Sequence, residues 1–261
     1  MVLPVGDRNP TRRKPVVTVT LIAANVAIFF AFNAQLPPAQ LQCFIFRWAA
    51  IPVELLRLQS LDPSAVPADA PACLPAALAA KNVFLSALTS MFLHGSIWHL
   101  GFNMLFLWIF GNNVEDEIGH VTYLLYYLLG GLVSVYVFAL INPTALVPLL
   151  GASGAIAAVL GGYFILHPRA RVQTYVPFPL YLLAGVIPRA RILGFFLFFA
   201  IVDLPAWLVL GIWFATQLLA LNEPAGGPVA YEAHVAGFVA GVVGTLVLRS
   251  LGATRTTPTP G

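Results

Sequence analysis

Long apolar runs separated by short clusters of polar and basic residues are the dominant pattern along this chain. The first is Val16 to Leu36, and others follow at about 93–111, 121–141, 149–166, 197–221 and 229–249. Each is near the ~20 residues that a helix needs to cross a bilayer core. A further stretch, Tyr175 to Ile187, is shorter, carries Pro177, Pro179 and Gly185, and has arginine pairs on both sides. It is too short to cross as a helix and reads as an interfacial or re-entrant segment. The pattern therefore predicts six spans. Arg8, Arg12, Arg13 and Lys14 precede the first run as they would in a signal peptide. Its 21 residues, however, exceed the ~7–15 of a cleavable apolar segment, so it reads as a retained helix.

Composition agrees with a membrane solvent. Of 261 residues, 59% are hydrophobic and 9% charged, with a mean hydropathy of +0.87. Soluble domains carry about 25% charged residues. This chain has too few to cover a globular surface, which excludes an ordinary cytosolic enzyme and a disordered protein. A net charge of +3, dispersed along the chain, also excludes a nucleic-acid binder. With the N-terminus in the cytoplasm, ten basic residues (Arg8, Arg12, Arg13, Lys14, Arg169, Arg171, Arg189, Arg191, Arg249, Arg255) fall on inner segments. Only three, Arg47, Arg57 and Lys81, fall outside. That asymmetry puts both termini in the cytoplasm of a multi-pass cell-membrane protein. The expected fold is an all-α polytopic bundle of six transmembrane helices over 16–250. A cytoplasmic segment (1–15) precedes it and a cytoplasmic tail (251–261) follows.

One outer connection is long, about 37–90. Within it, Gln42 to Trp48 is aromatic-rich and suits an interfacial segment in the outer leaflet. Cys43 and Cys73 both lie in this loop on the oxidising side, where a disulfide and two buried thiols are equally open readings.

Strongly polar residues inside spans are costly and therefore informative. They are His94, His99 and Asn103 in the second span, Ser153 in the fourth, Asp203 in the fifth and His234 in the sixth. Counting helical rise from the outer end of each span, His99, Asn103, Ser153 and His234 reach one shallow outer layer. Asp203 lies near the inner end and reads as a partner for nearby arginines or as a snorkelling residue. Glu115, Asp116 and Glu117 read as a short solvated inner loop, with His120 and His167 at the inner boundary.

Serine and histidine at matched depth point to nucleophilic catalysis, because a neutral imidazole can take the hydroxyl proton. Ser153 stands in Gly151-Ala-Ser-Gly154 at a loop-to-helix junction, where its free N–H can stabilise an oxyanion. His99 and Asn103, four apart, share a helix face and can donate to the same oxygen. Ala157 and Gly161 continue the Ser153 face, and Gly237 and Gly241 form a GxxxG spacing after His234, so these two helices can approach closely. A metal is not expected. His94 and His99 are wrongly spaced for a zinc pair, no carboxylate shares their depth, and no cofactor motif occurs. Glu232 points away from His234, leaving a Ser–His dyad without an aspartate.

These residues carry a family resemblance. His94-Gly-Ser-Ile-Trp-His99-Leu-Gly-Phe-Asn103, Gly111-Asn-Asn-Val-Glu115, Gly151-Ala-Ser-Gly154 and Ala233-His234-Val-Ala-Gly237-Phe-Val-Ala-Gly241 occur in this order. Over about 90–250 the chain resembles the rhomboid intramembrane serine proteases in their six-helix bacterial form. The resemblance implies Ser153 as nucleophile and His234 as general base. It implies the Ser153 amide, His99 and Asn103 as oxyanion donors, with His94 in support. It also implies a capping loop from Asn222 to Tyr231, a gating role for the fifth span, and substrates that are single-span membrane proteins. The chain departs from the family where an aromatic often follows the serine by four residues, here Ala157, and in the order Arg47-Trp48. The segment 172–192 is also longer than a minimal inner loop. The alternatives are a catalytically silent rhomboid-like binding protein and, disfavoured by the one-sided polar cluster, a transporter.

Overall fold

The computed structural model of the protein describes residues 3–177, 199–221 and 229–255. Its architecture is mostly helical, in keeping with the apolar runs. Helix α1 (Val16–Ile28) continues into a π-helical turn, Phe29–Asn33. Four short helices follow: α2 (Pro38–Trp48), α3 (Pro52–Arg57), α4 (Leu74–Ala79) and α5 (Val83–Thr89). Five longer ones complete the bundle: α6 (Ile97–Ile118), α7 (His120–Ile141), α8 (Ser153–Leu166), α9 (Ala206–Leu219) and α10 (Tyr231–Ser250).

Among the described residues, three helical stretches are long and apolar enough to cross a membrane: Val16–Asn33, His120–Ile141 and Tyr231–Ser250. A fourth is Val83–Phe92 with Ile97–Ile118, taken as one span bent by 81°. Helices α8 and α9 are apolar but shorter. At 14 residues each they rise only about 21 Å, less than the ~30 Å of a hydrocarbon core. Large apolar side chains such as Trp98, Trp108, Val121, Leu125, Leu129, Val243 and Leu246 are exposed on the described part of the protein, as a lipid-facing surface requires.

Helix α8 is the centre of the bundle. Every residue from Gly154 to Tyr163 is buried, the signature of a helix apolar all round. It packs most heavily on α10 and also on α6 and α7. Glycines make this contact: a Cβ on Gly237 would collide with the Gly154 carbonyl, one on Gly241 with the Ala158 backbone, and one on Gly161 with the Phe238 carbonyl. Tyr126 Oη lies between the same pair, 3.0 Å from the Ala158 carbonyl and 2.7 Å from the Gly241 carbonyl, with its one proton shared between them.

The expectation of an all-α chain needs correction. A three-stranded antiparallel sheet, β1 (Leu3–Asp7), β2 (Arg171–Pro177) and β3 (Phe199–Pro205), lies at one end of the bundle in the order β1-β2-β3. In β2 the buried Val172 and Thr174 alternate with Arg171, Gln173 and Tyr175, the period of two that a half-buried strand needs. The run 197–221 read as one helix because Ile201 and Val202 are as apolar as any span residue. Both are β-branched, and β3 takes them before α9 begins at Ala206. Asp203 therefore lies on a strand, opposite Gln173, where it pairs with Arg8 Nε at 3.1 Å. Its arginine partner is contributed by the N-terminal segment, far from it in sequence. Most of the Tyr175–Ile187 segment lies outside the described residues.

The acidic cluster is also not a solvated loop. Glu115, Asp116 and Glu117 form the last turns of α6, and Glu115 and Glu117 are buried. Helix α1 starts after Pro15 with no side-chain cap of its own. Glu115 supplies one, accepting from Val17 N (2.8 Å), Thr18 N (2.8 Å) and Thr18 Oγ1 (2.7 Å). A carboxylate at a helix N-terminus satisfies orphan amides and opposes the helix dipole. Asp116 accepts from the backbone of Arg12 and Arg13 and pairs with Arg255, so both ends of the described chain meet at this end of the bundle.

The connection 37–90 is itself folded. Cys43 and Cys73 form a disulfide joining α2 to the start of α4, over a small core of Leu74, Ala77 and Leu78. A fully buried ion pair, Lys81 with Glu54, fixes its far side, with Lys81 Nζ also donating to the Ala49 carbonyl. Arg47 stacks its guanidinium over the Trp48 ring.

Candidate active site

Three helices begin at the end of the bundle opposite the sheet, and each brings a polar side chain there in its first turns. Helix α8 starts at Ser153 itself, so the Ser153 N–H is among the amides with no partner within the helix. The chain enters this turn through Gly151, whose φ of +126° is left to glycine by sterics. The Gly151 N–H donates to the Ser90 carbonyl at 2.9 Å, anchoring the loop to the turn before α6.

Helix α6 brings His99 and Asn103. Ser96 caps it, its Oγ accepting from His99 N at 3.1 Å. The His99 imidazole lies against Gly151: a Cβ there would stand 2.8 Å from His99 Cε1 and Nε2, and 3.6 Å from Ser153 Oγ. His99 and Ser153 thus border one point in space. Asn103, one helical turn further on, is buried at 6% exposure, and its Nδ2 has no hydrogen-bond acceptor among the described residues. Buried amide donors are nearly always satisfied, so an unpaired one a helical turn after His99 stands out.

Helix α10 brings His234 in its first turn. The backbone just before it is held by Ser134 Oγ, which donates to the Ala233 carbonyl at 2.7 Å. The close approach of Gly237 to the Gly154 carbonyl sets the first turn of α10 beside that of α8. Around the imidazole, Trp213 of α9 stacks at 6.0 Å with an interplanar angle of 28°, and Tyr231 meets it edge-on at 6.5 Å. His234 Nδ1 lies 2.8 Å from Gln217 Oε1, also on α9. The ring stacked on His234 is thus that of Trp213, while Ala157 lies against Gly237.

His94 is fully buried behind His99, the rings meeting edge-on at 5.0 Å, and its carbonyl accepts from Asn33 Nδ2 at 2.5 Å. Ser153, His234, His99, Asn103, His94, Gly151, Gly154, Gly237 and Gly241 are thus brought to this one end and to the α8–α10 contact behind it. Gln217 and Trp213 were missed. Their signal was legible: a glutamine inside an apolar run, four residues after a tryptophan, shares its helix face. The loop proposed to cap the site falls largely outside the described residues. No group of three or more His, Cys, Asp or Glu able to hold a metal occurs among those described.

Residues 81–251 match the Rhomboid domain. The chain belongs to the rhomboid family. This is a family of, in general, intramembrane serine proteases. Among curated relatives, the chain is 37% identical over 96 residues to Rhomboid protein 1, mitochondrial, of Saccharomyces cerevisiae, covering 35% of this chain and 28% of that protein. It is 34% identical over 96 residues to Presenilin-associated rhomboid-like protein A, mitochondrial, of Danio rerio, covering 36% and 25%. The corresponding Homo sapiens protein is 32% identical over 96 residues, covering 36% and 25%. The match thus spans about a quarter of the length of these relatives. The rhomboid domain contains all the candidate residues, Ser153 and His234 included.

Proposed function

We propose that this rhomboid protein is an intramembrane serine endopeptidase with Ser153 as nucleophile and His234 as general base. Ser153 Oγ attacks the scissile carbonyl carbon as its proton passes to His234 Nε2. The developing oxyanion is met by Ser153 N–H, Asn103 Nδ2 and His99. The tetrahedral intermediate collapses to an acyl-enzyme as His234 returns the proton to the leaving amine. Water, activated by the same imidazole, then releases the acid. No metal or cofactor takes part.

The observation that carries this reading is the convergence at the start of α8: a helix amide at Ser153, a buried free amide donor at Asn103, and an imidazole held by α9. Two further features support an outward-opening site. The basic residues Arg8, Arg12, Arg13 and Arg255 gather at the sheet end, as the positive-inside bias requires of a cytoplasmic face. From His99 to Glu115, α6 climbs about 24 Å, which supports a site near the other face. Six spans in a cell membrane, both termini cytoplasmic, complete the proposed topology.

The substrate proposed is a single-span membrane protein, cleaved where its helix is weak near the outer face, because a stable helix hides its peptide bonds. The test is cleavage of a labelled single-span substrate in proteoliposomes by wild type and Ser153→Ala, alongside labelling by a serine-directed fluorophosphonate. Wild type is expected to cleave and label, and Ser153→Ala to do neither. Equal behaviour of the two overturns the protease reading in favour of a catalytically silent rhomboid-like binding protein.

A further inference from the structure

His234 carries no carboxylate partner, yet its imidazole is not left free to turn. Gln217, in the last turn of α9 and 8% exposed, faces it. Which end of the amide faces the ring is decided by its other contacts. Gln217 Nε2 lies 3.3 Å from the Trp213 carbonyl and 3.1 Å from Thr216 Oγ1. A carbonyl oxygen can only accept, so the NH₂ group points back along α9 and the amide oxygen points at His234. That oxygen can only accept in turn, so the hydrogen of the 2.8 Å contact belongs to His234 Nδ1. A neutral imidazole protonated on Nδ1 has its lone pair on Nε2, the basic form of the ring that a serine hydroxyl needs.

We propose that Gln217 is a positioning residue of the active site, which holds His234 in the Nδ1-protonated tautomer and aims Nε2 at Ser153. The inference rests on the reading of His234 as the base. It assigns to a neutral amide the orienting role that an aspartate fills in a Ser-His-Asp triad. Trp213 acts with it: one carbonyl fixes the amide while the indole lies over the imidazole, so two side chains a turn apart on α9 define both rotation and tautomer of one ring on α10. Among the described residues Gln217 makes no side-chain hydrogen bond to Ser153, His99 or Asn103, so its role runs through His234.

The test compares wild type with Gln217→Met, which keeps the volume and deletes the acceptor, and Gln217→Glu, which keeps an acceptor at the same reach. Two readouts are taken in detergent: the rate of fluorophosphonate labelling of Ser153, and the His234 tautomer from nitrogen–proton NMR of the 15N-labelled imidazole. Gln217→Met is expected to label at least tenfold more slowly at unchanged thermal stability, with the Nδ1-protonated signature lost. Gln217→Glu is expected to recover most of that rate. Gln217→Met labelling like wild type overturns the positioning role, since packing alone would then suffice. If Gln217→Met does not fold, an Nε2-protonated signature in wild type is sufficient to overturn it. Wild type that labels no better than Ser153→Ala is a different failure, which removes the protease reading and this inference with it.

Discussion

Gln217 Oε1 and His234 Nδ1 stand 2.8 Å apart, joining the end of α9 to the first turn of α10. Elsewhere the two helices meet through the rings of Trp213, Phe214 and Phe238. The hydrogen bond thus links the geometry of the proposed base to a helix that is only lightly packed on the bundle core. A shift of α9 would release the ring.

The free amide of Asn103 gives the sharpest test of the oxyanion site. Asn103→Ala should lower the turnover of a membrane substrate about 10²–10³-fold, the usual cost of losing one oxyanion donor. Thermal stability should stay within a few degrees, since Nδ2 has no partner to lose among the described residues. A parallel loss of stability and activity would show a structural role instead.

Gly151 is strained territory for any other residue. Gly151→Ala places a methyl group against the His99 ring at a φ of +126°, so activity should fall at least tenfold and stability by about 1–2 kcal/mol. Gly252→Ala, also at positive φ (+67°) but with open space around it, serves as the control. It should carry the backbone cost and leave turnover unchanged. Kinetics and thermal denaturation of both variants check the pair.

Gly241 is the tightest point of the α8–α10 contact. Gly241→Ala drives a Cβ into the Ala158 backbone, so the helices must separate, at a cost of about 1–3 kcal/mol. Gly211→Ala on α9 meets nothing within 4 Å and should be neutral or stabilising, because alanine is the better helix former. Melting temperatures in one detergent measure the difference.

Asp7 seats β1 on the bundle, accepting from Tyr163 Oη and Asn113 Nδ2, each at 2.8 Å. Burial pushes its carboxyl up to about 6, against those two hydrogen bonds, which favour the charged form. A raised carboxyl means that the docked strand prefers the proton. Its contribution to stability is full below about 3.8 and is lost as pH rises through about 6. Hydrogen exchange of the β1 and β2 amides, corrected for intrinsic rate, should therefore show stronger protection at pH 5 than at pH 7. Asp7→Asn should abolish that difference.

Much of this protein is legible without coordinates, for a definite reason. Apolar runs near 20 residues report a membrane solvent, because no other environment accepts so few charges, and residues costly to bury there stand out singly. Ser153, His234, His99 and Asn103 could be picked out on that ground, and their order along the chain carried the family. Other features depend on partners distant in sequence. Glu115 reads as solvated until α1 brings its uncapped amides to it, 97 residues away. The stretch 199–205 is as apolar as a span and becomes a strand because β2 offers it a ladder. Cys43 and Cys73 leave bonding open until α2 and α4 pack together. Gln217 looks like one polar residue in an apolar run, and only the meeting of α9 with α10 turns it toward His234. Solvent preference is written locally, residue by residue. Hydrogen-bond partnership is not, because an acceptor and its donor acquire their shared geometry only when the helices that carry them are packed.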